Sequence, residues 1–484
     1  MIIMREQTKF ILMKVGIIML TTIVFTGCLG GRANVDINDG YLSVNAKRKI
    51  YHQDGSYSYS EYQSFKTRTI DQLLGYSQST PTQPKSKFGG LLSQRADSTG
   101  FFHVKRIKER WWCIDPAGYY YVNVGFNNMI GTLDSSMKPM KAISEIKGNR
   151  INIPIEFLQE NGFNCAGSWY HKKAIINANK TNKRPMAYTI NWDFMSRYGR
   201  KRGGTFQQHG HTGYPNDAIF VFDPEFEVFC DNYAKKILET RNDPNLFGHF
   251  SDNEMPFKLS ALDNYLALPS IDPGYQAAKK WLIEQGITSD QITDSHREAF
   301  MALVAEKYFS IVSHTIKKYD PNHMYLGTRF YASEKNNEAF MRAAGSYIDI
   351  ISTNYSNCWT PDSALMSRWT KWSGRPFLVT EYYAKGEGSE VGNASGASWV
   401  VKTQKDRGLF YQNFNLALIE SKNCVGWHYF IYQDNELNKF ASSDTNGNKG
   451  IVNEQYVEWK PMMEKMKEFN TQVYSLIEYF DSKD

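Results

Sequence analysis

Short apolar runs alternate with longer amphipathic stretches along the chain after residue 100. The apolar runs have the length of buried strands, and the stretches between them have the helical period, so the alternation predicts βα units. The predicted strands are Tyr121–Gly125, Cys165–Trp169, Met186–Ile190, Leu246–Phe250, Met324–Thr328, Ile348–Ser352, Phe377–Thr380 and Val425–Phe430. The predicted helices cover residues 225–240, 274–286, 296–318, 335–344 and 404–421. This pattern predicts an α/β protein, a (β/α)8 TIM barrel with a short N-terminal extension.

The first residues do not belong to the predicted fold. Arg5, Lys9 and Lys14 precede an apolar run over residues 15–25, which ends at Thr26-Gly27-Cys28. This is the composition of a secretory signal, and the run is too short for a transmembrane helix. A cysteine directly after Thr-Gly resembles the lipobox of bacterial lipoproteins. The resemblance implies lipidation at Cys28 and an exported protein anchored at the outer membrane; the alternative is an ordinary signal peptide with a chance cysteine.

The chain divides into three predicted parts. We expect a lipoprotein signal peptide at 1–27, a tether and N-terminal extension at 28–99, and the barrel at 100–484. The polar insertions at 192–222 and 382–403 are predicted to form loops over the barrel mouth.

Composition narrows the function less than the pattern does. The net charge of +6 is small for 484 residues and gives no case for nucleic-acid binding. Aromatic residues make up 14% of the chain, which suits a sugar-binding cleft as well as a large core. The five cysteines other than Cys28 form no CxxC or Cys/His cluster, so we expect core residues rather than zinc ligands or a disulfide framework.

Two of the predicted strands end on a glutamate. Glu254 follows the fourth strand in the sequence Ser251-Asp252-Asn253-Glu254, and Glu381 directly follows the seventh. Catalytic groups of barrel enzymes lie at these strand ends. Glycoside hydrolysis needs a carboxylic acid that protonates the leaving oxygen and a carboxylate that attacks the anomeric carbon or activates water. An ordinary surface ion pair is the alternative for either residue alone.

Asn-Glu on strand four with Glu on strand seven resembles the arrangement of the clan A glycoside hydrolases. Three blocks, 110–118, 399–408 and 423–435, further resemble glycoside hydrolase family 50, the β-agarases, and their relatives. The resemblance covers residues 100 to 440. It implies a retaining mechanism, with Glu254 as acid/base and Glu381 as nucleophile, and it implies no cofactor.

The same resemblance implies roles for three neighbours of the pair. Asn253 would bind the sugar 2-hydroxyl, Tyr355 would orient the nucleophile, and Trp427 would form the aromatic floor of the −1 subsite. Each has a structural alternative: Asn253 as a helix cap, and Tyr355 and Trp427 as core residues.

Further candidates end other strands or lie in loops. Side chains that could meet sugar hydroxyls are Asn164, Ser168, Trp169, Arg329 and His428. His209 and His211 lie two apart in a glycine-rich loop and could hold a metal, but the sequence offers no third ligand. Hydrogen bonding within the loop or contact with sugar is therefore the favoured interpretation.

Substrate identity stays open at this stage. Typical family members carry a large β-sandwich before the barrel, where this chain has residues 28–99, so exo or endo action is not transferred. Agarose, porphyran and carrageenan are all admissible β-galactans. The rival functions are a non-catalytic polysaccharide-binding lipoprotein and a clan A hydrolase for another β-glycan; the intact pair Glu254 and Glu381 disfavours the first.

Overall fold

The computed structural model of the protein describes residues 40–52, 56–77, 83–128, 152–170, 172–208, 210–389, 391–434, 447–453 and 457–483. All of them fall within one compact unit of the chain. The predicted signal peptide, Cys28 and His209 lie outside the described residues. Among the residues described, no helix combines the length and the hydropathy that a membrane crossing requires.

The strands of the described residues are short. In chain order they are β1 (Leu42–Tyr51), β2 (Tyr57–Tyr59), β3 (Gln63–Thr67), β4 (Leu91–Arg95), β5 (His103–Ile107), β6 (Arg110–Ile114), β7 (Tyr119–Tyr121), β8 (Asn123–Phe126), β9 (Cys165–Ala166), β10 (Ala187–Asn191), β11 (Phe206–Gln207), β12 (Thr212–Gly213), β13 (Leu246–Phe250), β14 (Met324–Tyr325), β15 (Ile351–Asn354), β16 (Phe377–Glu381), β17 (Ala384–Gly386), β18 (Trp399–Val401) and β19 (Cys424–Tyr429).

The helices alternate with the later strands. They are α1 (Asn152–Glu160), α2 (Lys172–Asn179), α3 (Phe194–Arg202), α4 (Pro224–Ala234), α5 (Ala261–Leu266), α6 (Pro273–Gln285), α7 (Asp294–Tyr319), α8 (Glu338–Gly345), α9 (Ser363–Ser373), α10 (Gln404–Glu420), α11 (Lys460–Thr471) and α12 (Val473–Asp481).

A curled parallel sheet forms the centre of this mixed α/β structure. Its strand order is β14-β13-β10-β9-β8-β19-β16-β15. Consecutive parallel strands lie side by side from β8 to β14 and again from β15 to β19, and the first of them, β8, also pairs in parallel with the last, β19. Helices cover the connections, as the alternating pattern of the sequence predicted.

The two strands at the ends of this order, β14 and β15, are linked by backbone hydrogen bonds just beyond β14. The Phe330 amide donates to the Ser352 carbonyl at 2.9 Å, and the Asn354 amide donates to the Phe330 carbonyl at 2.7 Å. Phe330 and Thr353 form an isolated parallel bridge. The curl of the sheet thus brings its end strands within hydrogen-bonding distance of each other.

Apolar side chains pack on both faces of the central strands, because successive residues of a strand point to opposite sides. The inner cluster takes side chains from most of the parallel strands and includes Cys165, Ala187, Phe247, Met324, Leu378 and Val425. A larger cluster fills the space between strands and helices. The five described cysteines are all buried, as expected for core residues, and none of them forms a disulfide with another.

The N-terminal residues are paired into this same unit. Strand β1 runs antiparallel to β18, with Ala46 opposite Val401 and Arg48 opposite Trp399. Strand β18 pairs with β17, which begins shortly after Glu381. The first part of the extension therefore braces the long connection that follows β16.

Residues of the 399–408 block shape that connection. Thr403 caps α10 through a reciprocal pair of bonds with Asp406, the side-chain pattern of a capping box. Arg407 is fully buried, and its Nε donates to the Ala384 carbonyl at 2.8 Å while its Nη2 donates to the Gly450 carbonyl at 2.7 Å. One arginine thus ties two segments to helix α10.

Strand ends differ from the predicted bounds where the backbone turns. Strand β13 has its predicted limits, but β14 stops at Tyr325, since Gly327 and Arg329 have φ values of 74° and 56°. Strand β9 stops at Ala166, ahead of Trp169 with a φ of 57°. Positive φ is incompatible with extended strands, and these turns aim Trp169 and Arg329 at the mouth.

Candidate active site

The carboxylates of Glu254 and Glu381 converge at the carboxyl end of the parallel sheet. Both side chains are mostly buried, with 17% and 18% of their surface exposed. The amide nitrogen Nδ2 of Asn354 donates to Glu254 Oε1 at 2.7 Å and to Glu381 Oε2 at 3.4 Å. Because Glu254 Oε1 and Glu381 Oε2 both accept from this one nitrogen, they are at most about 6 Å apart.

Asn354, the last residue of β15, was not among the predicted site residues. Its Oδ1 accepts a hydrogen bond from Thr380 Oγ1 at 2.8 Å, which turns the NH2 group towards the two glutamates. The strand-end argument that selected the glutamates applies equally to Asn354. The resemblance directed attention to the next residue, Tyr355, instead.

Arg329 connects the nucleophile candidate to two other strand ends. Its guanidinium donates from Nη2 to Glu381 Oε2 at 3.0 Å, from Nε to Asn253 Oδ1 at 2.8 Å, and from Nη1 to Ser168 Oγ at 3.1 Å. The indole of Trp169 covers it, with the ring centroid 4.4 Å from Cζ. A guanidinium with several fixed donors suits this task better than a lysine ammonium.

The environment of Arg329 departs from the prediction that it contacts sugar. The side chain is completely buried. Burial lowers the pKa of the guanidinium below its usual value, although Glu381 and Glu254 oppose that effect. Arg329 therefore supplies positive charge and orientation to Glu381, and it fixes the amide of Asn253 so that the NH2 group is the donor left for a ligand.

A short hairpin, β11 and β12, brings His211 to the other oxygen of Glu254. His211 Nδ1 lies 3.3 Å from Glu254 Oε2, and the imidazole packs against the ring of Tyr331 with centroids 5.3 Å apart. Glu254 itself has a φ of 51°, and its backbone N–H donates to the Thr328 carbonyl at 2.9 Å. The hypothesis of a metal held by His209 and His211 rests partly on a residue outside the described part.

Aromatic side chains lie next to Arg329, the hydrogen-bond partner of Glu381. Trp169 is 40% exposed and meets Phe430 edge to face at 6.2 Å between centroids. Phe430 in turn contacts Tyr383 at 5.7 Å. An exposed indole next to two buried carboxylates is a surface on which a pyranose ring can pack.

Tyr355 does not occupy the predicted position beside the nucleophile. Its hydroxyl accepts a hydrogen bond from the Asp362 backbone N–H at 2.9 Å. Its ring packs against Trp369 and Phe414 in the layer between sheet and helices. Tyr355 follows Asn354 directly, and neighbouring residues point to opposite sides of a strand, so only one of the two can face the site.

The same alternation corrects Trp427. This side chain points outward, where Nε1 donates to the Tyr411 hydroxyl at 3.0 Å and the ring contacts Phe469. It is fully buried and is not the floor of a subsite. Phe430 lies at the mouth instead.

His428 points inward but lies beneath the site rather than at its surface. It is fully buried, and its Nε2 donates to Asn123 Oδ1 at 2.8 Å. Burial lowers the pKa of His428 to about 3, so the ring is neutral. A Cβ at Gly167 would lie 2.7 Å from its Nδ1, and one at Gly125 2.4 Å from its Cδ2, so glycine is needed at both positions.

Asn164 lies at the opposite end of the sheet from the carboxylates. Its Oδ1 accepts from the Tyr121 hydroxyl at 2.8 Å and from the Val124 amide at 2.9 Å, and its Nδ2 donates to the Val122 carbonyl. All three bonds lie at the start of β8 and β9. The predicted sugar contact is therefore wrong, because Asn164 precedes its strand instead of ending it.

Among the described residues, His249, Asp320 and His323 form a buried group with metal-ligand character. Asp320 Oδ2 lies 2.9 Å from His249 Nε2 and 2.7 Å from His323 Nδ1. His249 Nδ1 accepts from the Trp192 indole at 3.0 Å, so its proton is on Nε2, where a metal would have to bind. The donors therefore favour a hydrogen-bonded brace over a metal site.

Comparison with curated sequences finds two agarases. The chain is 24% identical to beta-agarase B of a Vibrio species (strain JT0107), over 82% of this chain and 51% of the relative. It is 28% identical to beta-agarase A of the same strain, over 35% of this chain and 17% of the relative. The chain thus spans about half the length of the first relative. No family model matches it.

Comparison with solved structures gives a match over nearly the whole chain. The crystal structure of BpGH50 superposes with a TM-score of 0.78 and 31% identity, covering 93% of this chain and 99% of that one. The agarase AgWH50C and an exo-beta-agarase both give a TM-score of 0.66, with 21% and 19% identity; they cover 81% and 82% of this chain and 66% and 68% of their own. The extent and identity of the first match show that this chain belongs to glycoside hydrolase family 50.

Proposed function

We propose that the protein is a retaining glycoside hydrolase that cleaves β-galactosidic bonds in a galactan of the agarose, porphyran or carrageenan type, or in its oligosaccharides. The observation that carries this proposal is the pair Glu254 and Glu381 on the shared amide of Asn354. Two carboxylates held together at the carboxyl end of a parallel sheet are the machinery that glycosidic cleavage requires.

The spacing of the pair supports retention of configuration. Retaining enzymes hold their carboxyl groups about 5–5.5 Å apart, whereas inverting enzymes leave about 6.5–9.5 Å for a water molecule. Asn354 holds Glu254 Oε1 and Glu381 Oε2 within about 6 Å of each other, which is compatible with the shorter separation of the two carboxyl groups.

Each residue has a role in the two steps. In the first step Glu381 attacks the anomeric carbon while Glu254 gives its proton to the departing oxygen, and the glycosidic bond breaks. In the second step Glu254 takes a proton from water, the water oxygen bonds to the anomeric carbon, and Glu381 leaves as a carboxylate. Arg329 keeps Glu381 oriented and offsets its charge, and Asn253 offers an NH2 donor to a sugar hydroxyl.

We also propose that the central sheet closes as a (β/α)8 barrel of the clan A type. The hydrogen bonds that link Phe330 to Ser352 and Asn354 support closure between β14 and β15. The positions of Glu254 after the fourth parallel strand and Glu381 at the end of the seventh support the clan assignment.

The substrate class rests on the names of the relatives. Two of them are beta-agarases, and the chain spans only part of each. Agarose is therefore the first candidate, and porphyran and carrageenan remain alternatives. The same proposal includes export as a lipoprotein, anchored to the outer membrane through a lipid on Cys28. An anchored hydrolase would meet polysaccharide outside the cytoplasm.

Product analysis tests the proposal. Purified wild-type protein, Glu381→Gln and the control Glu298→Gln, which carries the same change on an exposed face of α7, are each incubated with agarose, porphyran, κ-carrageenan and a neutral β-glucan. We expect galactan oligosaccharides from wild type and control but not from Glu381→Gln, with the β-anomer appearing first by NMR. Cleavage of the glucan alone would refute the galactan assignment, and tight binding without cleavage of any polymer would favour the binding-protein alternative.

A further inference from the structure

The two oxygens of Glu254 lie in different surroundings. Oε1 accepts a hydrogen bond from Asn354 at 2.7 Å. Oε2 faces Nδ1 of His211 at 3.3 Å. Since a carboxyl group carries its proton on one oxygen, and Oε1 is occupied by an N–H donor, the transferable proton belongs on Oε2.

We propose that His211 is a positioning residue for catalysis, which holds the transferable proton of Glu254 between Oε2 and Nδ1. This inference rests on the function proposed above, because it assigns His211 a role in the acid/base steps. Nothing in the pairing requires His211 to touch the substrate.

The hairpin that carries His211 is built to present it. Gln207 pairs with Thr212 across the hairpin, and Thr212 Oγ1 is 2.8 Å from Ser196 Oγ on α3. The tip turns at Gly210, whose φ is 81°, and the nearest atom to a Cβ built there is Glu254 Oε2 at 3.9 Å. The tip of the hairpin therefore lies directly against the carboxyl group.

The imidazole nitrogen itself points to the same role. Nδ1 of His211 is buried and forms no hydrogen bond within the described part of the chain. A buried ring nitrogen without a partner is costly, so it needs the group that it faces. The 3.3 Å separation from Oε2 is slightly long, as catalytic hydrogen bonds often are before substrate binds.

The proton balance is simple. In the resting pair one proton lies between Oε2 and Nδ1, held either as a carboxylic acid that donates to a neutral imidazole or as an imidazolium whose Nδ1–H donates to the carboxylate. In the first step this proton moves to the glycosidic oxygen as the bond to the anomeric carbon breaks. In the second step water returns one proton to the pair, which restores the resting state.

Other charged groups interact electrostatically with Glu254. Arg329 and Lys335 are buried cations whose charges interact with Glu254. Tyr331, whose ring packs on His211, also interacts with Glu254. Glu381 adds a negative charge through the shared amide of Asn354. None of these groups forms a hydrogen bond with His211 Nδ1 within the described part of the chain, so replacing His211 changes the proton site and leaves them in place.

Kinetics with substrates of different leaving-group strength provide the first test. His211→Ala, His211→Asn and the hairpin control Gln207→Ala are compared on a galactan oligosaccharide and on aryl β-galactosides. For His211→Ala we expect kcat to fall about 10- to 100-fold on poor leaving groups and far less on a dinitrophenyl leaving group, which needs no acid. His211→Asn, whose amide can still bond Oε2, should recover part of the loss on the poor leaving groups. Equal losses on all substrates, or the same loss in Gln207→Ala, would show a structural role and overturn the proposal.

A second measurement does not depend on turnover. The chain has 10 histidines, so the imidazole ¹⁵N signals of His211 can be followed by NMR in wild type and in Glu254→Gln, with exposed His314 as the internal control. Removing the carboxylate should change the ¹⁵N chemical shift of His211 Nδ1, because the group that it faces at 3.3 Å is lost, and leave the signals of His314 unchanged. If wild type cleaves galactan but the His211 signals are the same in wild type and Glu254→Gln, the proton sharing is refuted and the proposed function stands. If the His211 signals differ between the two proteins but wild type cleaves no galactan, the proposed function is refuted and the pairing of His211 with Glu254 stands.

Discussion

The guanidinium of Arg329 lies 3.0 Å from Oε2 of Glu381 and is completely buried beneath the indole of Trp169. A buried cation is held in place by its partners, and its own donors in turn fix Glu381, Asn253 and Ser168. The geometry of Glu381, the proposed nucleophile, therefore depends on a residue that the solvent does not reach.

Replacing Arg329 by lysine should reduce kcat about 100-fold, because an ammonium cannot reach the three acceptors at once. The free energy of unfolding should also fall, since Asn253 and Ser168 lose a buried partner. Steady-state kinetics and urea unfolding measure both effects. Arg342→Lys on the surface of α8 is the matched control and should be silent; wild-type kcat in Arg329→Lys would contradict the assigned role.

Asn354→Ala should also reduce kcat about 100-fold, because one donor that orients both carboxylates disappears. Asn354→Asp should be worse, since a third carboxylate would face Glu254 and Glu381. The exposed Asn336→Ala provides the control for an asparagine substitution nearby in the chain. If Asn354→Asp retained full activity, the shared amide would not be what holds the pair.

Two tryptophans should separate binding from stability. Trp427→Ala is expected to lower the free energy of unfolding by about 3–5 kcal/mol, since it empties a fully buried site between β19 and α10. Trp169→Ala should leave the unfolding midpoint nearly unchanged and raise KM about 10-fold, because the exposed indole is proposed to pack on sugar. Chemical unfolding and steady-state kinetics on both variants measure these effects. A raised KM with unchanged stability in Trp427→Ala would show that Trp427 binds substrate after all.

His428 should make the protein acid-sensitive. Its pKa is lowered from 6.5 to about 3 by burial, so below pH 6.5 the unfolded chain binds a proton at this position that the folded chain does not. Stability is therefore fully present above pH 6.5 and is lost as the pH falls towards 3, by about 1.4 kcal/mol per pH unit from this group. Urea unfolding at several pH values between pH 7 and pH 4 gives the free energy of unfolding as a function of pH. This free energy should fall less steeply with decreasing pH in His428→Gln than in wild type and in the control His314→Gln. Parallel slopes in all three proteins would mean that His428 does not carry the effect.

Much of the fold followed from pattern alone. The run Leu246–Phe250 lacks a polar side chain except at His249 because both faces of that strand are buried, and its predicted limits match β13. The strand ends at Tyr325 and Ala166 were not predicted because they depend on left-handed backbone at Gly327 and Trp169, which no local sequence pattern indicates. The pairing of β1 with β18 also joins segments far apart in the chain, so no periodicity could indicate it.

The sequence by itself determined which two residues are proposed to carry the chemistry: Glu254 and Glu381 stand out because each lies at or just after the end of a strand-like apolar run, and strand ends of parallel sheets meet on one edge. Only the tertiary structure decided which neighbouring side chains face the two glutamates. Asn354 faces the pair and Tyr355 does not, and His428 points inward while Trp427 points outward. The physical reason is that adjacent strand residues lie on opposite faces, and a sequence does not say which face is the inner one until the sheet has curled.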